Sequence, residues 1–150
     1  MARPEVVPLM SEHLEAAVYR PDHAEYVLAL GAWNVGVEDS LVRNGGMALV
    51  LDDVVLAMAG VAFLWNGVGN IWMRSCLGAD KHPLAVMRAT KEFMRIVTTA
   101  FQPRRLQAHV RADSAINRRF IEHFGFSEEG IMRGFGPEGA DYALYARVQS

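Results

Sequence analysis

The sequence predicts a single α/β domain with a mixed, mostly antiparallel sheet flanked by helices on both faces. The first observation is length and composition: 150 residues, 51% hydrophobic and 21% charged, are ordinary for one globular domain. The second is that the apolar spacing switches along the chain between helical and alternating periods. The third is a long amphipathic segment between two strand-like segments, which implies a parallel crossover.

The first half of the chain predicts one short strand, two or three helical segments and three longer strands. Residues 5–9 are expected to form an edge strand, because Pro8 cannot donate a ladder hydrogen bond. Helices are expected over residues 11–19, 21–30 and 38–42. Strands are expected over Met47–Leu51, over Val54–Trp65 and over residues 70–76, with turns at Asp52-Asp53 and Asn66-Gly67. The middle strand is almost wholly apolar, which predicts burial on both faces and a bulge at Ala59-Gly60.

The second half predicts the main helix over Pro83–Phe101. Apolar residues recur there at three- and four-residue steps, and Pro83 suits a first helical position because it lacks an N–H. Pro103 ends this helix. A strand over residues 106–111, a helix over 114–124 and two strands, over residues 130–135 and Tyr142–Val148, complete the predicted order.

The net charge of −2 hides an uneven distribution. Residues 1–75 carry 4 basic and 9 acidic side chains, whereas residues 81–119 carry 9 basic and 2 acidic ones. The basic segment could face a phosphorylated ligand or nucleic acid, or it could be a solvated surface balanced by the acidic half. Because the chain has no nucleic-acid recognition motif and a pI of about 6.2, nucleic-acid binding is not expected.

Other classes of protein are excluded by what the sequence lacks. A single cysteine, Cys76, permits no internal disulfide and suggests a reducing compartment. No Cys/His cluster has zinc-site spacing, so no metal is expected. No long uncharged apolar run or signal-peptide core occurs. We therefore expect a cytoplasmic protein that does not associate with a membrane.

The stretch IEHFGFSEEGIMR, residues 121–133, gives the most specific signal. Gly125 is expected to cap the preceding helix in a left-handed conformation, with Phe126 as the hydrophobic contact of the cap. Gly130 is expected to let the next strand bend over the helix end.

Residues 106–133, LQAHVRADSAINRRFIEHFGFSEEGIMR, resemble the C-terminal part of the GCN5-related N-acetyltransferases (GNAT). The ending GFSEEGIMR, followed by ADYALYARV, is most similar to the branch that acetylates protein N-termini, where a GF-x-x-EG-x-x-R pattern recurs. That pattern is filled by Gly125, Phe126, Glu129, Gly130 and Arg133. The chain is also similar to GNAT-like proteins carried by tailed phages, some of which are internal virion components.

The resemblance implies that acetyl-CoA binds with its pyrophosphate on the N-terminus of the main helix. The family's loop pattern, Arg/Gln-x-x-Gly-x-Gly/Ala, is incomplete in CLGADKHPLAVMR (residues 76–88), which keeps Gly78 but lacks the second glycine. Lys81, His82 and Arg88 could bind phosphate by charge, or could form an ordinary polar helix start. The strand before the loop, residues 70–76, is expected to expose its backbone to the cofactor arm around residues 74–77. The predicted cofactor-binding residues are Arg74, Ser75, Cys76, Leu77, Lys81, His82, Arg88 and Asn117.

The resemblance also implies a general base and an acid for transfer to an amine, either a small molecule or a protein N-terminus. The candidate catalytic residues are His109, Ser114 and Asn117. A neutral His109 could act as base, or could be structural. Ser114 and Asn117 could contact the pantetheine arm, or Ser114 could be a helix N-cap. The tyrosine that often serves as the acid is replaced by Ile121.

A second hypothesis is a non-catalytic phage protein that acts through protein–protein contact, in the virion or in the host cytoplasm. It depends on the incomplete loop and on three aromatic side chains that could be exposed: Trp33, Trp65 and Trp72. Both hypotheses are compatible with a homodimer as well as with a monomer.

Overall fold

The computed structural model describes residues 2–24, 27 and 37–149. Seven strands form one sheet in the order β1-β2-β3-β4-β5-β7-β6. The strands are β1 (Glu5–Pro8), β2 (Met47–Leu51), β3 (Val54–Trp65), β4 (Val68–Ser75), β5 (Arg105–Arg111), β6 (Ser127–Met132) and β7 (Tyr142–Val148). The helices are α1 (Ser11–Ala16), α2 (Val37–Arg43), α3 (Pro83–Phe101) and α4 (Ala115–His123), with 3₁₀ turns at Leu77–Lys81 and Pro137–Gly139.

The sheet is mixed, and mostly antiparallel, as the sequence predicts. β4 and β5 run parallel, and α3 lies between them in the chain. The pairs β1–β2, β2–β3, β5–β7 and β6–β7 are antiparallel. The predicted α/β class and the parallel crossover are therefore confirmed.

Several predicted boundaries are wrong for a common reason, which is β-pairing with residues far away in the sequence. α1 ends at Ala16 rather than at residue 19, because Tyr19 forms a β-bridge with Cys76. β6 begins at Ser127 rather than at residue 130, since Ser127 already pairs with Ala146 of β7. Of the helix predicted over residues 21–30, residues 21–24 and 27 are helical and the others lie outside the described residues.

One prediction about β3 is also wrong, and another stays a prediction. The β2–β3 ladder is irregular opposite Leu49 and Val50, where β3 has the additional residue Leu56, but it ends at Ala59 and so does not test the bulge predicted at Ala59-Gly60. Residues 55–58 are buried, but Phe63, Leu64 and Trp65 are exposed, so the strand is not buried along its whole length. Phe63 finds a ring contact with Phe101, at 4.9 Å between ring centroids.

Contacts group the chain into two compact units. The first consists of Met1–Val61 and Met73–Ile96. Its core is formed by β2, β3 and α3, with Leu56, Met58 and Phe93 buried. Beside this core lies a partly open apolar pocket of about 30 Å³, lined by residues that include Ala57, Val86 and Phe93.

The second unit consists of Ala62–Trp72 and Val97–Ser150. Leu106, Ala143 and Tyr145 are buried at its centre. Gly125 follows α4 with φ +86°, and Phe126 beside it is 3% exposed, which confirms the predicted cap. In the same unit, β7 pairs with β5 on one side and with β6 on the other.

No helix in residues 2–24, 27 and 37–149 is long and apolar enough to span a membrane. The 19-residue α3 has the length, but it carries Arg88, Lys91, Glu92 and Arg95.

Candidate functional site

The parallel ladder between β4 and β5 is short. It pairs Val68 with Arg105, Gly69 with Leu106 and Asn70 with Gln107, and no further pair follows in the described structure. Both strands continue past this point, β4 to Ser75 and β5 to Arg111. Backbone groups beyond the last pair need other partners, because unpaired buried amides are costly.

At the C-terminal end of β4, a segment of the first unit forms hydrogen bonds with the backbone. We call residues 18–23 the strap. Its hydrogen bonds run from Arg20 N to Ser75 O (3.0 Å), from Ser75 N to His23 Nδ1 (2.7 Å) and from Leu77 N to Val18 O (2.9 Å). The expectation that this end of β4 exposes its backbone is therefore wrong at Ser75 and Leu77. Along β4, residues 71–74 lie between the last ladder pair and the strap.

Two side chains at or just after this end of β4, those of Arg74 and Cys76, are buried. Arg74 is 5% exposed, donates to Tyr19 Oη at 3.2 Å and lies over the Tyr19 ring. Cys76 is buried, its N–H donates to Leu56 O, and burial raises the pKa of its thiol to about 11. A thiol that stays protonated at neutral pH is a poor nucleophile, so Cys76 is suited to packing.

Acidic pH is expected to destabilise the fold through His23. Burial lowers the pKa of His23 below its ordinary value of 6.5; Asp22 opposes this shift, and Arg20 and Arg74 add to it. Below about pH 6.5 the unfolded state therefore binds more protons than the folded state, and stability falls by up to about 1.4 kcal/mol per pH unit. Above that pH both states are neutral and this contribution is constant. Urea unfolding of the wild type and of His23→Gln between about pH 5 and 7.5 measures it.

His109 carries the same sign of shift, so part of the pH dependence is expected to persist in His23→Gln. Equal slopes for wild type and variant would show that the strap histidine does not contribute.

The start of α3 carries the predicted phosphate-binding charges. His82 O accepts from Val86 N at 3.1 Å, which places His82 at the helix N-cap and Pro83 at the first helical position, as predicted. Lys81 and Arg88 are exposed, and His82 is half-buried. Gly78 has a packing role, because a Cβ there would lie 2.8 Å from Leu56 Cδ2.

In the second unit, His109 lies in the middle of β5 and is half-buried. Its ring packs against Phe135 with 4.9 Å between centroids, and burial lowers its pKa from 6.5. The imidazole is therefore neutral at pH 7 and has one nitrogen able to accept a proton.

Ser114 is the N-cap of α4, since its hydroxyl accepts from Asn117 N at 3.2 Å. The structural alternative for Ser114 is thus confirmed, and its hydroxyl is already engaged. Asn117 is half-buried in the first turn of the helix. Whether either residue contacts the pantetheine arm stays a prediction.

Two features of the second unit were not predicted from the sequence. Asn70 Oδ1 is buried and is the one buried side-chain polar atom without a hydrogen-bond partner among the described residues. Glu129 accepts two hydrogen bonds from the Arg105 guanidinium, at 2.6 and 3.0 Å, and Arg105 lowers the pKa of that carboxyl. The glutamate of the GF-x-x-EG-x-x-R pattern therefore has a structural partner here.

Ion pairs also account for part of the basic segment. Arg95 pairs with Glu92, Arg111 with Asp113, Arg118 with Glu128 and Arg105 with Glu129. None of these four acidic partners lies in residues 1–75, so the expectation that the acidic half balances the segment is wrong for them. Trp65 is exposed, as the contact hypothesis requires, but Trp72 is half-buried and Trp33 lies outside the described residues.

The seven-stranded sheet, with the parallel β4–β5 pair joined through α3, is the fold of the GNAT acetyltransferases. No protein-family model matches the chain, and no curated protein matches it in sequence. Solved structures do match over nearly the whole chain. Ard1 from Thermoplasma volcanium is 14% identical, with a TM-score of 0.73 over 98% of each chain.

Two further solved structures match to a similar degree. Ribosomal-protein-alanine N-acetyltransferase from Brucella melitensis is 13% identical, with a TM-score of 0.73 over 97% of this chain and 99% of that one. An N-acetyltransferase from Staphylococcus aureus Mu50 is 15% identical, with a TM-score of 0.70 over 97% and 98%. At such identities the similarity establishes the fold. The resemblance to phage-carried proteins stays a prediction.

Proposed function

We propose that the protein is an acetyltransferase that moves the acetyl group of acetyl-CoA to an amine. The observation that carries the proposal is the end of the β4–β5 ladder at Asn70 and Gln107 in a chain with this fold. Beyond that pair no residue of β5 pairs with β4 in the described structure, so an extended cofactor arm could lie beside the end of the ladder. The names of the matched structures, which are acetyltransferases, support the same activity.

In the reaction, the amine nitrogen would form a bond to the thioester carbonyl carbon and lose a proton, while the carbon–sulfur bond breaks and CoA leaves as a thiolate that takes up a proton from water. In the second unit, neutral His109 is the residue suited to take that proton. In the first unit, exposed Lys81 and Arg88 at the start of α3 would attract the cofactor phosphates. Because the glycine cradle is incomplete, we expect charge to contribute more to this binding than backbone amides do.

For the acceptor we propose an amine and no narrower class of substrate. The GF-x-x-EG-x-x-R pattern resembles enzymes that act on protein N-termini. In this chain, however, Glu129 pairs with Arg105, and Gly125 and Phe126 form the helix cap. These residues therefore explain the fold of the C-terminal strands and do not by themselves select the acceptor.

Acetyl transfer is tested by incubating the purified chain with acetyl-CoA and a panel of short peptides with free N-termini and of primary amines. The expected result is CoA release above the uncatalysed rate and acetylated product by mass spectrometry. Lys81→Ala combined with Arg88→Ala is expected to raise KM for acetyl-CoA about tenfold with little change in kcat.

The matched control is Lys91→Ala, which removes an exposed charge further along the same helix and is expected to leave KM unchanged. Absence of transfer to every amine in the panel would contradict the proposed function.

A further inference from the structure

One face of the sheet in the second unit carries polar side chains from two strands. Asn70 of β4 pairs with Gln107 of β5, and paired residues of neighbouring strands project to the same face. His109 lies two residues beyond Gln107 and shares that face. Leu106 and Ala108, which flank Gln107 in β5, are buried on the opposite, apolar face. Asn70, Gln107 and His109 therefore line one polar face at the end of the ladder.

The hydrogen bonds of this face leave one acceptor unsatisfied. Gln107 Oε1 accepts from Arg105 Nε at 2.9 Å. The ring of His109 packs on Phe135. Asn70 Oδ1 is buried and has no partner among the described residues. Buried side-chain oxygens nearly always have a donor, so one that lacks it points to a water or a ligand that completes it.

The chemistry of the unsatisfied atom restricts the ligand. An amide oxygen only accepts hydrogen bonds, so its partner must carry an N–H or O–H group. An amine provides such a donor, and the neutral imidazole on the same face can accept a second hydrogen bond or a proton from it. A ligand of the same shape without the donor would leave the oxygen unpaired and would be rejected.

We propose that Asn70 Oδ1 binds the acceptor amine of this protein, accepting a hydrogen bond from its nitrogen on the face shared with Gln107 and His109. The proposal rests on the proposed function for the identity of the amine as an acceptor. The binding site itself rests on the unpaired oxygen and the strand register.

The kinetic test compares Asn70→Leu with the wild type, with Gln149→Leu as a matched control at an exposed amide of the same unit. Asn70→Leu is expected to raise KM for the amine about 10- to 100-fold, as for loss of one hydrogen bond to a charged group, and to leave KM for acetyl-CoA unchanged. Because the oxygen is unpaired, its replacement by an apolar group is expected to leave Tm equal or higher. A lower Tm, with both KM values raised, would assign Asn70 a structural role and overturn the proposal.

A second measurement does not depend on acetyl transfer. Alanine methyl ester, which has a free amine, and methyl propionate, which has no N–H or O–H group, are titrated into ¹⁵N-labelled protein while the Asn70 side-chain amide signal is followed. Asn70→Leu identifies this signal by its loss. A shift with alanine methyl ester alone supports the site, even if no transfer is found and the proposed function fails. The proposal is overturned by transfer with an unchanged amine KM in Asn70→Leu, by no shift, or by equal shifts with both probes, which would show that the shift does not need the donor.

Discussion

Replacing Phe93 by alanine is expected to lower the free energy of unfolding by about 3–5 kcal/mol. Phe93 is 4% exposed in the core of the first unit, and it already lines the apolar pocket of about 30 Å³. Removing the ring enlarges that pocket, and the side chains around it, such as Met58 and Val86, are expected to fill the space only in part. The loss therefore combines the transfer free energy of the ring with the cost of the larger void.

Urea denaturation monitored by tryptophan fluorescence measures this loss. The matched control is Leu84→Ala on the same helix, which removes a side chain that is 68% exposed and is expected to change stability by less than about 0.5 kcal/mol. Similar losses for the two variants would contradict the assignment of the buried face of α3.

Replacing Tyr145 by alanine is expected to destabilise the protein by about 3–5 kcal/mol, through the second unit. Tyr145 is fully buried on β7, opposite Ala108 of β5 and Glu128 of β6. Its hydroxyl accepts from Arg118 Nε at 3.1 Å and donates to Glu122 Oε2 at 3.4 Å. Both the ring and the hydroxyl are lost in this variant.

Tyr145→Phe separates the two contributions, because it removes only the hydroxyl. It is expected to cost about 1–3 kcal/mol, because the hydroxyl makes two hydrogen bonds and both of its partners are charged groups. Thermal unfolding of both variants by circular dichroism gives the comparison. Equal losses for the phenylalanine and alanine variants would show that ring burial on β7 contributes little.

The elements predicted best from the sequence are those specified by nearby residues. Pro83 and Pro103 delimit α3, and the predicted bounds Pro83–Phe101 are those observed. Asp52 and Asp53 both have positive φ, as a tight hairpin turn requires. The elements predicted poorly depend on distant partners. The end of α1 is set by the pairing of Tyr19 with Cys76, 57 residues away, and no local pattern contains that information.

In the candidate site, too, the features set by nearby residues were predictable and those set by distant partners were not. The N-cap role of Ser114 follows from its residue type and from the helix after it, and it is observed. The partner of Glu129 is Arg105 on another strand, which the local motif cannot show. What marks Asn70 is that its oxygen lacks a donor among the described residues, and that depends on neighbouring side chains that the local sequence does not show.

The strap changes what the fold implies about cofactor binding. Its bonds to Ser75 and Leu77 occupy backbone groups that were predicted to be exposed. We expect the acetyl-CoA arm either to bind without the backbone groups of Ser75 and Leu77 or to displace the strap. Lys81 and Arg88 at the start of α3 remain exposed and able to attract its phosphates.

Calorimetric titration with acetyl-CoA tests the central claim most directly. The account predicts binding of one molecule per chain with a Kd of about 1 μM to 1 mM, the usual range for enzyme substrates, and weaker binding after Lys81→Ala with Arg88→Ala. It also predicts weaker binding of a CoA analogue that lacks the ribose phosphate. No heat of binding and no thermal stabilisation at a concentration of about 10 mM, ten times the upper end of that range, would contradict the claim that this fold serves acetyl transfer here.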